Sequence, residues 1–389
     1  MGKSAGIVYY GSYPENRGIR QLRDVLERLE CKSFVLARQT GRTDVSEAGV
    51  SYAMHGDGVG EKFRYLPGPV QPFWQNRILH WAVEHSLDFL MVRETPLSGA
   101  CLAVGRQLGI PVYLDIRENL AAMYRAGEQR LLARLAKNSF FVKLLERRYV
   151  SQFDAIFSVS DELGDWVSRT YHIPEQKIHT LGNYPSRRSI ELADAACAST
   201  RQDREQGLTL VHAGYVQRNR GLQDIVTAMR ILNTEGRPLH LKILGEGDYL
   251  SALRTLVDQH DLNSQVQFVR AVPPDRIYSE LVSGDVGVCS YLLNEQAHLT
   301  MPGKLFEYMT VGLPILTSAR RPVVRIIGEC ENGLIYPSRN AEEIAKVLRY
   351  FLDHPDERIR MANNSRLAVR ERFNEDRNVQ VLGRIVMDE

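Results

Sequence analysis

The sequence has no Cys-x-x-Cys pair and no cluster of Cys and His at ligand spacing. Its cysteines, Cys31, Cys101, Cys197, Cys289 and Cys330, are scattered and odd in number. That argues against a disulfide framework and a zinc site and for a reducing compartment. No apolar run approaches the roughly 18 residues that a membrane-spanning helix needs. Neither sign of charge dominates: 49 Lys+Arg against 47 Asp+Glu leave +2, too little for bulk nucleic-acid binding. No Gly-x-Gly-x-x-Gly follows the first strand pattern, which weighs against a dehydrogenase. No D-x-D occurs, so the carboxylate pair that would hold Mn²⁺ or Mg²⁺ beside a diphosphate is missing. The start, Met1-Gly2-Lys3-Ser4-Ala5-Gly6, lacks the Ser or Thr of a myristoylation signal and soon reads as strand, so neither a lipid anchor nor a signal peptide is expected. The expectation is a cytoplasmic protein without a cofactor.

What the sequence does have is an ordinary globular mix over 389 residues, 44% hydrophobic and 25% charged, enough for two or three domains. Short apolar runs alternate with longer amphipathic ones, the mark of βαβ units and a parallel sheet. Ile7 to Tyr10, Asp88 to Val92, Val112 to Leu114 and Ala155 to Val159 read as strands of a first half. Helices are expected over 17–30 and 97–108, and Ser160 as the cap of another. A second set of strands is expected over 209–213, 240–244, 266–269, 286–290 and 315–318, with helices near 221–233, 248–259, 274–283 and 303–311. Between the halves, Asn183-Tyr184-Pro185 breaks the pattern and 186–207 is polar, read as a linker. These readings give two Rossmann-like doubly wound α/β domains facing across a cleft, over 1–185 and 208–370. A terminal helix within 371–389 is expected to pack back on the first. Ligands of such folds bind at the carboxyl ends of strands.

Two constellations in the second half point to an anion. In His212-Ala213-Gly214-Tyr215-Val216-Gln217-Arg218-Asn219-Arg220-Gly221, a strand ends in a glycine turn and two arginines precede a helix start. Backbone amides, the helix dipole and bidentate guanidiniums suit a phosphate; a solvated loop with surface arginines would read the same way. In Thr300-Met301-Pro302-Gly303-Lys304-Leu305-Phe306-Glu307-Tyr308-Met309, followed by Gly312-Leu313-Pro314, a helix begins at Pro302 and Gly303. Lys304 lies in its first turn and Glu307 three residues on, on the same face. Amides and Lys304 could hold a diphosphate and Glu307 a vicinal diol, or the pair could be an ordinary i, i+3 ion pair.

The run Pro302-x-Lys304-x-x-Glu307-Tyr308-Met309-x-x-Gly312-x-Pro314, after the Arg220-Gly221 loop, resembles the nucleotide-sugar domain of family 4 glycosyltransferases with the GT-B fold, in their Pro-x-Lys-x-x-Glu-Tyr-Met subset. Leu244-Gly245-Glu246-Gly247, Ser283 to Val288 and Ile178 to Asn183 are similar to further segments of that family. The resemblance implies transfer of a sugar from a nucleotide diphosphate sugar, usually with retained configuration and no metal. It implies that Lys304 and Arg220 contact the diphosphate and that Glu307 holds the ribose, the three as the catalytic set. It places Gly214, Arg218, Thr300, Pro302 and Gly303 at the donor, with Val272 in a loop beside the base. The chain departs from the pattern in two places. Leu299 stands where many members have Glu against the donor sugar, leaving His298 or Glu295 to substitute, and Tyr215 stands where many have Arg.

The first domain then falls to the acceptor, a polysaccharide or lipid-linked glycan. Arg93-Glu94 and Asp115-Ile116-Arg117-Glu118 follow strands, and Arg17 and Arg20 follow the first one. Of these, Arg17, Arg20, Asp115, Arg117 and Glu118 are the acceptor candidates, with loop ion pairs as the plain alternative. The stretch 125–148 carries seven basic and two acidic residues, interleaved with Leu131, Leu132, Leu135, Phe140, Phe141, Leu144 and Leu145. That is a basic amphipathic pattern able to lie on an anionic membrane, giving peripheral attachment at the inner face, or to pack in a core. Two other readings share the architecture: a nucleotide-sugar epimerase, and a non-catalytic sugar-nucleotide-binding subunit.

Overall fold

A computed structural model describes residues 2–11, 13, 16–38, 47–52, 72–120, 122, 144, 146–199, 207–337 and 339–387. They form two units: Met1–Gly182 with Asp376–Glu389, and Asn183–Glu375.

The first unit is built on seven parallel strands: β1 Ser4–Tyr9, β2 Lys32–Ala37, β3 Val50–Tyr52, β4 Phe89–Arg93, β5 Val112–Ile116, β6 Ile156–Ser158 and β7 Ile178–Thr180. Their order is β3-β2-β1-β4-β5-β6-β7, so the winding reverses between β1 and β4. β4 and β5 are buried along their whole length, which is why Phe89–Val92 and Val112–Leu114 read as apolar runs rather than alternating ones, up to the buried Arg93 and Asp115. The helix Arg17–Arg28 starts where the Asn16 side chain accepts from the Ile19 amide, and it buries Ile19, Leu22, Val25 and Leu26 on the sheet. Ser160 caps the helix Asp161–Tyr171 as expected, its Oγ accepting from the Leu163 amide at 3.2 Å. The strands β2, β3 and β7 and the helix Pro72–Glu84 were not among the expected elements. The helix Glu375–Val386 closes this unit. Leu382 and Val386 are buried among Ile19, Leu22, Val25, Leu26 and Cys31, and Asn378 exchanges hydrogen bonds with the Gly182 backbone.

The second unit has six parallel strands: β8 Thr209–Ala213, β9 His240–Leu244, β10 Val266–Val269, β11 Val286–Cys289, β12 Ile315–Ser318 and β13 Gly333–Tyr336. Their order is β10-β9-β8-β11-β12-β13, reversing between β8 and β11. The expected strands here agree closely; β13 was not foreseen. The stretch read as a linker is a correction. Arg187–Ser199 is a helix of the second unit with Ala193 and Ala196 buried, and its small buried residues hide the apolar face that a reading of large side chains looks for.

Gly245 shows why a glycine turn follows β9. Its φ is +145°, and a Cβ there would sit 2.0 Å from the Gly214 carbonyl oxygen. The Gly214 amide donates to the Leu244 carbonyl across the same gap. The Leu244-Gly245-Glu246-Gly247 run therefore seats the Gly214 turn by backbone contact.

Candidate active site

At the reversal point of the second sheet, the turns after β8 and β11 are tied together: the Leu292 amide donates to the Asn219 carbonyl at 2.8 Å. Tyr291, just past β11, is ringed by cations. The Arg320, Arg220 and Lys304 cationic groups lie 4.0, 4.6 and 5.2 Å from its ring centre. Each pairing is a cation–π contact, strengthened where water is thin. Burial alone would raise the Tyr291 phenol, but Lys304, Arg220 and Arg320 override it and hold it below its usual range. Among the described residues, none of these three cations makes an ion pair with a carboxylate.

Lys304 is steadied by His212, which is fully buried on β8. The His212 Nδ1 lies 3.3 Å from the Val288 carbonyl and its Nε2 3.4 Å from Lys304 Nζ. A carbonyl only accepts, so Nδ1 carries the proton and Nε2 offers its lone pair to the ammonium. Burial, with the Lys304 charge added, keeps His212 well below its ordinary range and neutral. Burial also draws Lys304 down from its usual value. Tyr308 fixes the floor, donating to the Val288 carbonyl and accepting from the Ala213 amide at 2.9 Å.

Lys304 is the second residue of the helix Gly303–Val311, whose Pro302 cap provides no side-chain hydrogen bond. The Leu305 amide donates to the Pro302 carbonyl at 3.2 Å, and at the Gly303 and Lys304 amides before it the helix dipole adds partial positive charge suited to an anion. Glu307 is half-buried one turn further along. Arg320, which the sequence reading missed, is 2% exposed and bridges the segment before the helix. Its Nε donates to the Ala297 carbonyl at 2.9 Å and its Nη2 to the Thr300 carbonyl at 2.7 Å. Leu299 is buried in that segment, Glu295 exposed, and the His298 Nδ1 is buried without a partner. Of the sequence candidates, the structure gathers Gly214, Arg220, Thr300, Pro302, Gly303 and Lys304 about this point. Gly214 lies so close that a Cβ there would be 3.7 Å from Lys304 Nζ. Arg218 is exposed in the turn after β8, and Val272 is half-buried in the loop after β10.

At the reversal point of the first sheet, Asp115 corrects its expected role. It is 0% exposed, and its two oxygens are taken by Arg93 at 2.5 Å and Arg117 at 2.6 Å. Burial would raise it, but Arg117 and Arg93 together hold its carboxyl below the usual range. It braces two arginines rather than facing a ligand. Arg117 in turn donates to the Leu181 carbonyl. Arg17 and Arg20 are exposed at the start of the helix after β1, and Glu118 is half-buried.

Glu94, the residue after β4, has φ +63° and ψ 168°, a region otherwise nearly reserved for glycine and costing a side chain on the order of 1–3 kcal/mol. Its Oε1 accepts from the Arg117 amide at 3.1 Å, while Oε2 is buried without a hydrogen-bond partner. Burial, with Glu118 adding repulsion, pushes its pKa up to about 8.

Of the stretch 125–148, only 144 and 146–148 lie within the described residues. There Glu146 is buried, accepting from the Tyr171 hydroxyl at 2.6 Å. No helix among the described residues is long and apolar enough to cross a membrane. No group of three His, Cys, Asp or Glu among them is placed to hold a metal ion.

Residues 200–368 match the family Glycosyl transferases group 1, and residues 16–184 the Glycosyl transferase 4-like domain. Over 178 residues the chain is 26% identical to the amylovoran biosynthesis glycosyltransferase AmsK of Erwinia amylovora, covering 45% of this chain and 42% of that one. Over 266 residues it is 22% identical to the alpha-D-kanosaminyltransferase of Streptomyces kanamyceticus, covering 67% and 66%. The aligned stretches thus span less than two thirds of these relatives. The fold matches that of HepE from Anabaena, solved in complex with UDP, with a TM-score of 0.75 and 12% identity over 100% of both chains. With both halves matched, the chain belongs to the family 4 glycosyltransferases of the GT-B fold.

Proposed function

We propose that the chain transfers a sugar from a nucleotide diphosphate sugar to a glycan or lipid-linked acceptor, with retained configuration and without a divalent metal. The observation that supports this most is the trio Arg220, Lys304 and Arg320 about Tyr291, without a carboxylate partner, beside the uncapped start of the helix Gly303–Val311. Unbalanced positive charge at the carboxyl ends of β8 and β11 suits a diphosphate, whose negative charge grows as the bond to the sugar breaks. The HepE structures with UDP and with UDP-glucose support the same class of donor.

In this reading Lys304 and Arg220 meet the phosphates, and amides at 300–303 the diphosphate and sugar. Glu307 takes the ribose hydroxyls, and Gly214, Arg218 and Val272 line the nucleotide side. Arg320 holds the 297–300 segment in place through its carbonyls. The test is a thermal-shift and calorimetric screen of nucleotides and nucleotide sugars, followed by turnover of the donor that binds. Lys304→Ala and Arg220→Ala should lower turnover more than they lower nucleotide affinity, since charge on the phosphate grows in the transition state. Activity should persist in excess EDTA. No nucleotide binding by the wild-type chain, or wild-type turnover in both variants, would overturn the reading. Loss of activity in EDTA that Mn²⁺ restores would remove the metal-free part.

A further inference from the structure

We propose that Glu94 binds a hydroxyl of a neutral acceptor sugar at the reversal point of the first sheet, its Oε2 accepting the hydrogen bond. This rests on the transferase reading above and names the chemistry at its acceptor end. Crevices of doubly wound sheets open where the strand order reverses, and Glu94 follows β4, the strand beside β1 at that reversal.

Three observations set Glu94 apart. Its backbone lies in a region that glycine would occupy without strain, yet the position carries a long acidic side chain. Strain of this kind persists where the surrounding structure enforces it, and it clusters at ligand sites. One carboxyl oxygen is used locally, by the Arg117 amide, while Oε2 is buried and has no partner. A buried polar atom without a partner is rare and asks for one.

The charged neighbours favour a neutral ligand. Arg93 on β4 is held by Asp115 and touches the Asn16 side chain at 3.4 Å. Arg117, in the loop after β5, is held by the same Asp115. Glu118 from that loop faces Glu94 with like charge. Among the charged groups that act on Glu94, the two arginines and the two acids Asp115 and Glu118 balance. A hydroxyl fits, because it can donate to Oε2 and bring no charge of its own.

The direction of the pH effect follows. Near neutrality Glu94 is largely protonated, with its pKa about 8. A donated hydrogen bond favours the ionised form over the neutral one, so acceptor binding should tighten as pH rises through that value.

The experiment uses the full chain, the nucleotide sugar that binds it, and n-octyl glucoside, galactoside and mannoside as neutral acceptors. Nucleotide release without glycoside reports the transferase reading independently. In the wild type, KM for the glycoside should fall several-fold between pH 7 and 9. Glu94→Gln should raise that KM about tenfold at pH 9 and flatten the profile. Glu94→Gly relieves the backbone and should fold at least as stably as the wild type, yet show the same loss of acceptor affinity. Nucleotide affinity should be unchanged in both variants. A wild-type KM that is flat in pH, variants with wild-type KM, or donor hydrolysis with no transfer to any of the three glycosides would overturn the proposal. No nucleotide binding and no nucleotide release would instead count against the transferase reading.

Discussion

Glu307 and Lys304 show how far single residues could be read. Their spacing on one helix face was visible in the sequence, and the structure puts Lys304 beside Tyr291, His212 and Gly214. Tyr291 and Arg320 were not visible, because each lies in a turn after a different strand and only the sheet brings them together. The lone His212 gave no signal either. Its meaning lies in one nitrogen bound to a carbonyl and the other to an ammonium, which spacing cannot show. At this scale the ribose assignment is open to a direct check. Glu307→Ala should weaken free nucleotide and nucleotide sugar alike, by roughly 1.5–3 kcal/mol for lost hydrogen bonds to a charged group. Calorimetry reads this, and unchanged nucleotide affinity would remove Glu307 from the site.

Whole elements were legible where they are buried on both faces. β8 and β11 read directly because parallel strands covered by helices are nearly continuous buried runs, and β9 because Leu241, Ile243 and Leu244 stay buried around Lys242. β2 and β7 were missed because polar residues interrupt them, as at Lys32, Ser33 and His179. The helix Arg187–Ser199 was missed because its buried face is made of alanines. The basic stretch 125–148 is an element-scale question for the sequence itself. We propose that it draws the protein to anionic membranes, each basic residue near the surface adding about 1 kcal/mol that salt screens. Arg130, Arg134, Lys137 and Lys143 changed together to Glu should abolish sedimentation with phosphatidylserine-containing vesicles while nucleotide binding stays. Wild-type protein that fails to sediment with such vesicles at low salt would refute this and favour a soluble acceptor.

At the scale of the molecule, the chain makes two cores and then spends its last helix on the first of them. Leu382 and Val386, at 0% and 1% exposed, join the apolar cluster of β1, β2 and the helix Arg17–Arg28. Lys3 donates to the Val386 carbonyl at 2.7 Å, and Arg28 pairs with Asp376 at 2.5 Å. The sequence reading expects a terminal helix that packs back on the first domain, and the contacts that seat it there join residues nearly the length of the chain apart. The two cores therefore answer differently to a mutation in this helix. Leu382→Ala removes a buried side chain from the first core and should cost that unit about 2–5 kcal/mol, by lost burial and the cavity left behind. Lys304 and Tyr291 belong to the second unit, whose core cluster contains none of this helix. Calorimetric unfolding with and without nucleotide separates the two, since a ligand raises only the transition of the unit that binds it. Leu382→Ala should lower the transition that nucleotide leaves in place and spare the one it raises. A shift confined to the nucleotide-sensitive transition would show that the helix supports the second unit instead.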